Sequence, residues 1–227
     1  HSHIGTGIYS AEPMLEAMEM ILAVAEKFPD LEFIDFGGGF GIPYRPEQQA
    51  LDMKDLSQKM TSRFTEFRQC YGREISMKIE PGKLLVGPAG ILLTTVTNIT
   101  DTPKHHFVGV DSGFNHLLRP ILYGSYHKIL NASRYSGDEE DVVVVGYICE
   151  SGDIFSRSGD EIERKLPSPV IGERLAFLDA GAYGFSMSSQ YNSRPRPAEV
   201  LVHQGQSRLI RRAETFEDLT QFFVDFN

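Results

Sequence analysis

A chain of 227 residues with 41% hydrophobic and 23% charged content is long enough to bury a core as one large domain or two small ones. Its formal net charge of −9 excludes the basic face that a nucleic-acid partner would require. No apolar run approaches the ~20 residues of a bilayer span and nothing at the start reads as a signal peptide, while Cys70 and Cys149 give neither a disulfide framework nor a metal-type spacing, so no membrane, no metal and a reducing, cytoplasmic setting are expected.

In chain order, HSHIGTG reads as a strand end running into a Gly-rich loop. SAEPMLEAMEMILAVAEKF then spaces Met14, Leu15, Met18, Ile21, Leu22 and Ala25 as one face of an amphipathic helix, with Ser10 as its expected N-cap. LEFIDF is a nearly continuous apolar run suited to a strand buried on both faces, and it ends in GGGFG. A second helix follows, with Leu56, Met60, Phe64 and Phe67 on one side; EISMKIE is another buried strand, stopped by Pro81 and Gly82. This strand–loop–helix rhythm predicts parallel strands with helical crossovers, whose functional loops gather at the carboxyl ends of the strands.

After Leu85 the texture changes. ILLTTVTNIT, HHFVGVD, DVVVVGYICE and ERLAFLD are β-branched runs divided by Pro, Gly, Asn and Asp clusters, which predicts an antiparallel β domain over 86–227 after an α/β domain over 1–85. The acidic run GDEEDV reads as a solvated turn, and RPRP as turn structure.

Several residues carry chemical potential. FGGGFG after a strand lets backbone N–H groups cradle a phosphate, although a tight turn explains three glycines equally well. In IEPGK, Glu80 at a strand end can bond a ring nitrogen or a metal, or cap a turn; Lys78 shares its face. His3 can contact a ligand or be structural. Arg119, Tyr123 and His127 cluster in LRPILYGSYH, and Tyr183 sits between glycines. Cys149, beside the acidic Glu150 and Asp153, is either a small buried hydrophobe or a working thiol.

Taken together and in this order, HIGTG, FGGGFG, EPGK, RPILYGSYH, CESGD and AGAYGFSMSSQYNSRPRPAEVLV resemble the pyridoxal-phosphate decarboxylases of the alanine-racemase-like barrel type, in particular the branch acting on diaminopimelate. The resemblance runs over nearly the whole chain. It implies the C-terminal part of a cofactor-binding (β/α)8 barrel followed by a sandwich- or barrel-like β domain that completes the site. Pyridoxal 5'-phosphate would be the cofactor, with His3 against its ring, Thr6 near it, Gly38 and Gly39 at the phosphate, and Pro81, Gly82 and Lys83 beside it. Glu80 would pair with the pyridine nitrogen, keeping the ring an electron sink. Tyr183 would touch cofactor and substrate. Lys83, Arg119, Tyr123 and Glu150 would hold a small amino-acid substrate whose far end carries both an ammonium and a carboxylate. Cys149 would reach into the neighbouring subunit's site of a homodimer as proton donor to the α-carbon.

The resemblance also implies two departures. The family usually has arginine after EPG, where this chain has Lys83, which keeps the charge and loses the planar fork. The lysine that attaches the cofactor lies on an early barrel strand, upstream of the region present here; a full barrel takes ~250 residues. The chain is therefore expected to be a C-terminal fragment, inactive alone, of an enzyme converting meso-2,6-diaminopimelate to L-lysine and CO2. A decarboxylase of ornithine or arginine, and a non-catalytic homologue acting through its dimer surface, are the alternatives.

Overall fold

Pro13, in the first turn of helix α1 (Glu12–Ala25), pre-sets the helical φ there, and the N-cap is Ala11, without a side-chain cap. Ser10 is thus not the cap the sequence suggested: Ala11 is buried in the core, and the proline makes a hydroxyl cap unnecessary. The computed structural model describes residues 1–224 and divides into two units, His1–Ala89 and Gly90–Asn227.

In the first unit α1 buries Met14, Met18, Leu22 and Ala25, the four-four-three spacing of one helical face. Helix α2 (Met53–Tyr71) begins at Asp52, whose carboxylate accepts from the amides of Lys54 (3.0 Å) and Asp55 (2.9 Å). It ends at Gly72, in the left-handed region at φ 76°. Its buried Leu56, Met60, Phe64 and Phe67 join the α1 face, Ile34, Phe40, Leu51 and Ile75 in one core. Each such side chain is worth about 1.5–3 kcal/mol when fully buried.

Strands β1 (Phe33–Asp35) and β2 (Ser76–Lys78) pair in parallel, Ile34 opposite Met77, with α2 as crossover. The expectation of two strands buried on both faces is corrected: only Ile34 is buried in β1, and all three residues of β2 are exposed. Among the described residues these strands pair only with each other, while the Ser2 amide donates to the Asp35 carbonyl on the far side of β1 at 3.1 Å and Ile34 packs into the core. The short helix α3 (Gly82–Val86) closes the unit.

The second unit is a six-stranded mixed sheet with the order β5-β8-β3-β4-β6-β7. Its strands are β3 (Leu92–Asp101), β4 (His106–Val110), β5 (Ile129–Asn131), β6 (Glu139–Val145), β7 (Arg164–Pro167) and β8 (Arg174–Phe177), with helix α4 (Arg119–Tyr123) between β4 and β5. The wholly antiparallel expectation is corrected at one place: β4 and β6 run parallel, His106 opposite Val142 through Gly109 opposite Val145. Val142, Val143 and Val144 are all fully buried, as a central strand covered on both faces requires. Phe155 and Phe177 meet at 4.6 Å between ring centroids in the core. The acidic run is not a free turn, because Glu139, Glu140 and Asp141 lie in β6 opposite β7 and Lys165 bonds Asp141 at 3.2 Å.

A separate hairpin, β9 (Glu199–His203) and β10 (Gln206–Arg211), precedes helix α5 (Phe216–Thr220). It is tied back by Glu214, whose carboxylate takes the backbone amide of Arg196 (2.8 Å), the Arg196 guanidinium Nε (2.7 Å) and Gln190 Nε2 (3.0 Å). RPRP is therefore an extended, ion-paired strap. The Arg196 hydrogen bond is the main cause that holds Glu214 down at about 2, from an ordinary 4.5. A carboxyl lowered on folding stabilises above its unfolded value and loses that contribution as pH falls. The stability difference between wild type and Glu214→Gln should be roughly 1–2 kcal/mol near neutrality, after solvent screening of Arg196. It should shrink between pH 4.5 and about 2, as read by denaturant melts across pH. Among the described residues no helix is long and apolar enough to cross a membrane.

Candidate functional site

Each unit carries its own cluster of the residues singled out from the sequence. In the first, three loops converge. The Gly38 amide donates to His3 Nδ1 at 3.1 Å, so that nitrogen is unprotonated and the ring hydrogen of neutral His3 resides on Nε2. The Glu80 amide donates to the Gly37 carbonyl at 2.9 Å. A Cβ at Gly38 would stand 2.3 Å from the Glu80 carbonyl oxygen, and one at Gly39, where φ is +92°, 2.3 Å from the Gly5 carbonyl oxygen. Neither position admits a side chain, so the glycines of FGGGFG are required by the approach of HIGTG on one side and EPGK on the other.

The Glu80 carboxylate bonds His1 Nε2 at 3.0 Å, and the ligand atoms of His1, Asp35 and Glu80 all lie within 4.8 Å of one another. Glu80 is exposed, at the mouth of β2 rather than in a turn cap. After it, Pro81 and Gly82 lead into α3, the Gly82 amide returning to the Glu80 carbonyl at 2.9 Å. Lys83 Nζ donates to Thr6 Oγ1 at 2.8 Å and stands 5.8 Å from the Tyr44 ring centre. Lys78 lies 3.6 Å over the ring of Phe33. His3, Thr6, Gly38, Gly39, Glu80 and Lys83 are thus brought into one neighbourhood.

In the second unit Arg119 opens α4 and is buried, with Nη2 donating to Ser125 Oγ at 3.2 Å. Its guanidinium carbon lies 5.8 Å from the ring centre of Tyr123 and 5.9 Å from that of Tyr183. Tyr183 is held at φ +60°, a conformation uncommon for a large side chain and one that marks a locally over-determined turn. His127, buried nearby, donates from Nδ1 to the Leu178 carbonyl (2.9 Å); burial above all brings its pKa down to about 4, so the imidazole is neutral at pH 7.

Cys149 and Glu150 are exposed on the loop after β6, which excludes the reading of Cys149 as a buried hydrophobe. A Cβ at Gly152 would meet Ile121 at 2.5 Å, so this loop rests directly on α4, the helix that carries Arg119 and Tyr123. Asp153 organises the loop from beneath: its carboxylate accepts from the amides of Ile148 (2.8 Å) and Phe114 (2.7 Å). Gly146 makes room for it, since a Cβ there would lie 2.2 Å from Asp153 Oδ2. The sequence marked Asp153 only as an acidic neighbour of Cys149; its place in the motif was visible, its anchoring role was not.

Residues 8–181 match the family described as pyridoxal-dependent decarboxylase, C-terminal sheet domain. The chain belongs to that family. It is 48% identical over 226 residues to the diaminopimelate decarboxylase of Methanothermobacter thermautotrophicus, covering 96% of this chain and 51% of that protein. A crystal structure of diaminopimelate decarboxylase matches with a TM-score of 0.89 and 39% identity over 96% of this chain and 54% of the other. A diaminopimelate decarboxylase from M. jannaschii in complex with L-lysine matches with a TM-score of 0.86 and 35% identity, covering 98% of this chain and 51% of that one. The chain spans about half the length of the curated relatives it matches. The family is described as pyridoxal-dependent, which implies a planar heteroaromatic cofactor, and Glu80 bonds an aromatic ring nitrogen, that of His1. The donor set of the first unit therefore fits such a group at its pyridine side. The Gly38 amide, in contrast, is already engaged by His3.

Proposed function

We propose that the full-length protein decarboxylates meso-2,6-diaminopimelate to L-lysine and CO2 with pyridoxal 5'-phosphate, and that this chain supplies the C-terminal half of that enzyme. The observation that carries the substrate choice is the exposed Glu150 on a loop seated against α4, whose Arg119 is flanked by Tyr123 and Tyr183. A carboxylate and a guanidinium suit a substrate end bearing both an ammonium and a carboxylate. The similarity to diaminopimelate decarboxylases, at 48% identity in one case, supports the same choice.

In this reading Glu80 would hold the pyridine nitrogen, His3 would contact the ring, Gly38 and Gly39 would serve the phosphate, the Gly38 amide by exchanging its bond to His3, and Thr6 with Lys83 would bound the adjoining edge. The bound cofactor supplies an electron sink for the pair left at the substrate α-carbon as CO2 departs. Tyr183 and Arg119 orient the substrate, and Lys83 offers a charge without the fork of an arginine. Cys149 Sγ carries the proton that is delivered to the α-carbon. Its exposure suits a thiol that works in the neighbouring subunit's site of a homodimer, and two exposed unpaired cysteines suit a reducing cytoplasm.

A decarboxylase of ornithine or arginine is disfavoured because those substrates offer no distal carboxylate for Arg119. A full-length protein should release CO2 from meso-diaminopimelate in preference to ornithine and arginine in a substrate panel, and a preference for ornithine overturns the assignment. Pyridoxal phosphate followed by borohydride should leave the mass of this chain unchanged and label a lysine upstream of it in the full-length protein. A labelled Lys78, or no label in either, sinks the proposal of a split cofactor site.

A further inference from the structure

The loop that follows β4 has a histidine for which the proposed chemistry has no use. His116 Nε2 lies 3.0 Å from the carbonyl oxygen of Pro195, which can only accept, so Nε2 carries the ring hydrogen. Nδ1 then accepts from the Ser112 hydroxyl at 2.9 Å. The Tyr147 hydroxyl lies 3.2 Å from the same Nε2, and the two rings meet edge to face at 5.9 Å. Burial lowers the His116 pKa and raises that of Tyr147, so both are neutral near pH 7. Three chain segments distant in sequence therefore meet on one imidazole.

Tyr147 is the important member, because it stands two residues before Cys149. Its amide donates to the Ser112 carbonyl at 3.0 Å, and the Arg194 guanidinium covers its ring at 4.7 Å. The next residue, Ile148, is the one whose amide is fixed by Asp153. From these contacts we infer that His116 is a positioning residue for the Cys149 loop: it fixes Tyr147 against the Pro195 strap and so sets the direction in which the thiol is presented. An apolar side chain of the same size would fill the space and leave the Tyr147 side chain held by Asn115 and Arg194, without its tie to the Pro195 strap. That the thiol is a proton donor rests on the decarboxylase reading; that His116 orients it does not.

The test uses the full-length protein and follows two quantities. One is the rate at which a disulfide reagent such as DTNB modifies Cys149, tracked on its own peptide by mass spectrometry. The other is the separation of kcat from KM with meso-diaminopimelate. His116→Ala should change the Cys149 modification rate by about threefold or more. It should lower kcat roughly tenfold while KM stays within about twofold, since a displaced donor affects the chemical step. His116→Gln, whose amide can still reach the Pro195 carbonyl, should recover most of both. A folded His116→Ala protein with an unaltered Cys149 rate overturns the inference, as does a His116→Gln protein no better than the alanine variant. Should His116→Ala fail to fold, Tyr147→Phe decides: a changed Cys149 rate upholds the inference and an unchanged one overturns it. A wild-type protein without decarboxylase activity would sink the proposed function and leave the thiol measurement to decide this point alone.

Discussion

Cys149→Ala in the full-length protein should lower kcat by about 10²–10⁴-fold, the contribution of a positioned proton donor. KM should change little, because Arg119, Tyr123 and Tyr183 are held by contacts that do not involve the thiol and the exposed Glu150 keeps its own carboxylate. The melting temperature should stay within a degree or so, since Cys149 is exposed and its removal opens no cavity. That combination separates a chemical role from a structural one. A variant with near-normal kcat would remove Cys149 from the mechanism, and a variant that loses kcat only through unfolding would show itself in the melt.

The second large effect lies four residues on. Asp153→Ala removes the acceptor of the buried Ile148 amide and of the half-buried Phe114 amide, and leaves a space beneath the loop next to Gly146. Unsatisfied donors and an unfilled cavity together should cost about 3 kcal/mol of stability in the second unit, read by denaturant unfolding. Asp153→Asn keeps the shape but turns one acceptor into a donor facing an amide, and should recover only part of the loss. Burial raises the Asp153 pKa above its ordinary 3.8, so the carboxyl binds its proton more tightly when folded. Its ionisation therefore subtracts from stability as pH climbs from 3.8 towards the raised value. Activity should fall in both variants beyond what stability explains, because the amide of Ile148 adjoins Cys149.

Local pattern made much of this architecture legible. The four-four-three spacing in both helices of the first unit, and the β-branched runs that became β3, β4, β6 and β8, are properties that neighbouring residues express by themselves. What local pattern could not express was pairing. Nothing in DVVVVGYICE says that its valines lie parallel to HFVGV, since the choice of partner is made by residues far away. EISMKIE reads as buried because its composition suits a covered strand, yet only β1 pairs with it among the described residues. The site shows the same division. Glu80, Tyr183 and Cys149 stood out through their motifs, whereas His116 lies in GFNHLL without a spacing to mark it and gains meaning only when Tyr147 and Pro195 arrive beside it.

The parallel pairing of β4 with β6 also governs the order of assembly. The chain leaves β4 at Val110, builds α4 and β5, and returns as β6 only at Glu139; the Cys149 loop follows that return. A parallel match across so long a connection closes late, because the entropy of the loop is lost before any ladder bond is gained. Arg119 lies inside the connection and Cys149 just beyond it, so their approach waits on that pairing. During refolding the thiol would reach its final surroundings only once β6 has docked on β4, which makes Cys149 a reporter of that one pairing.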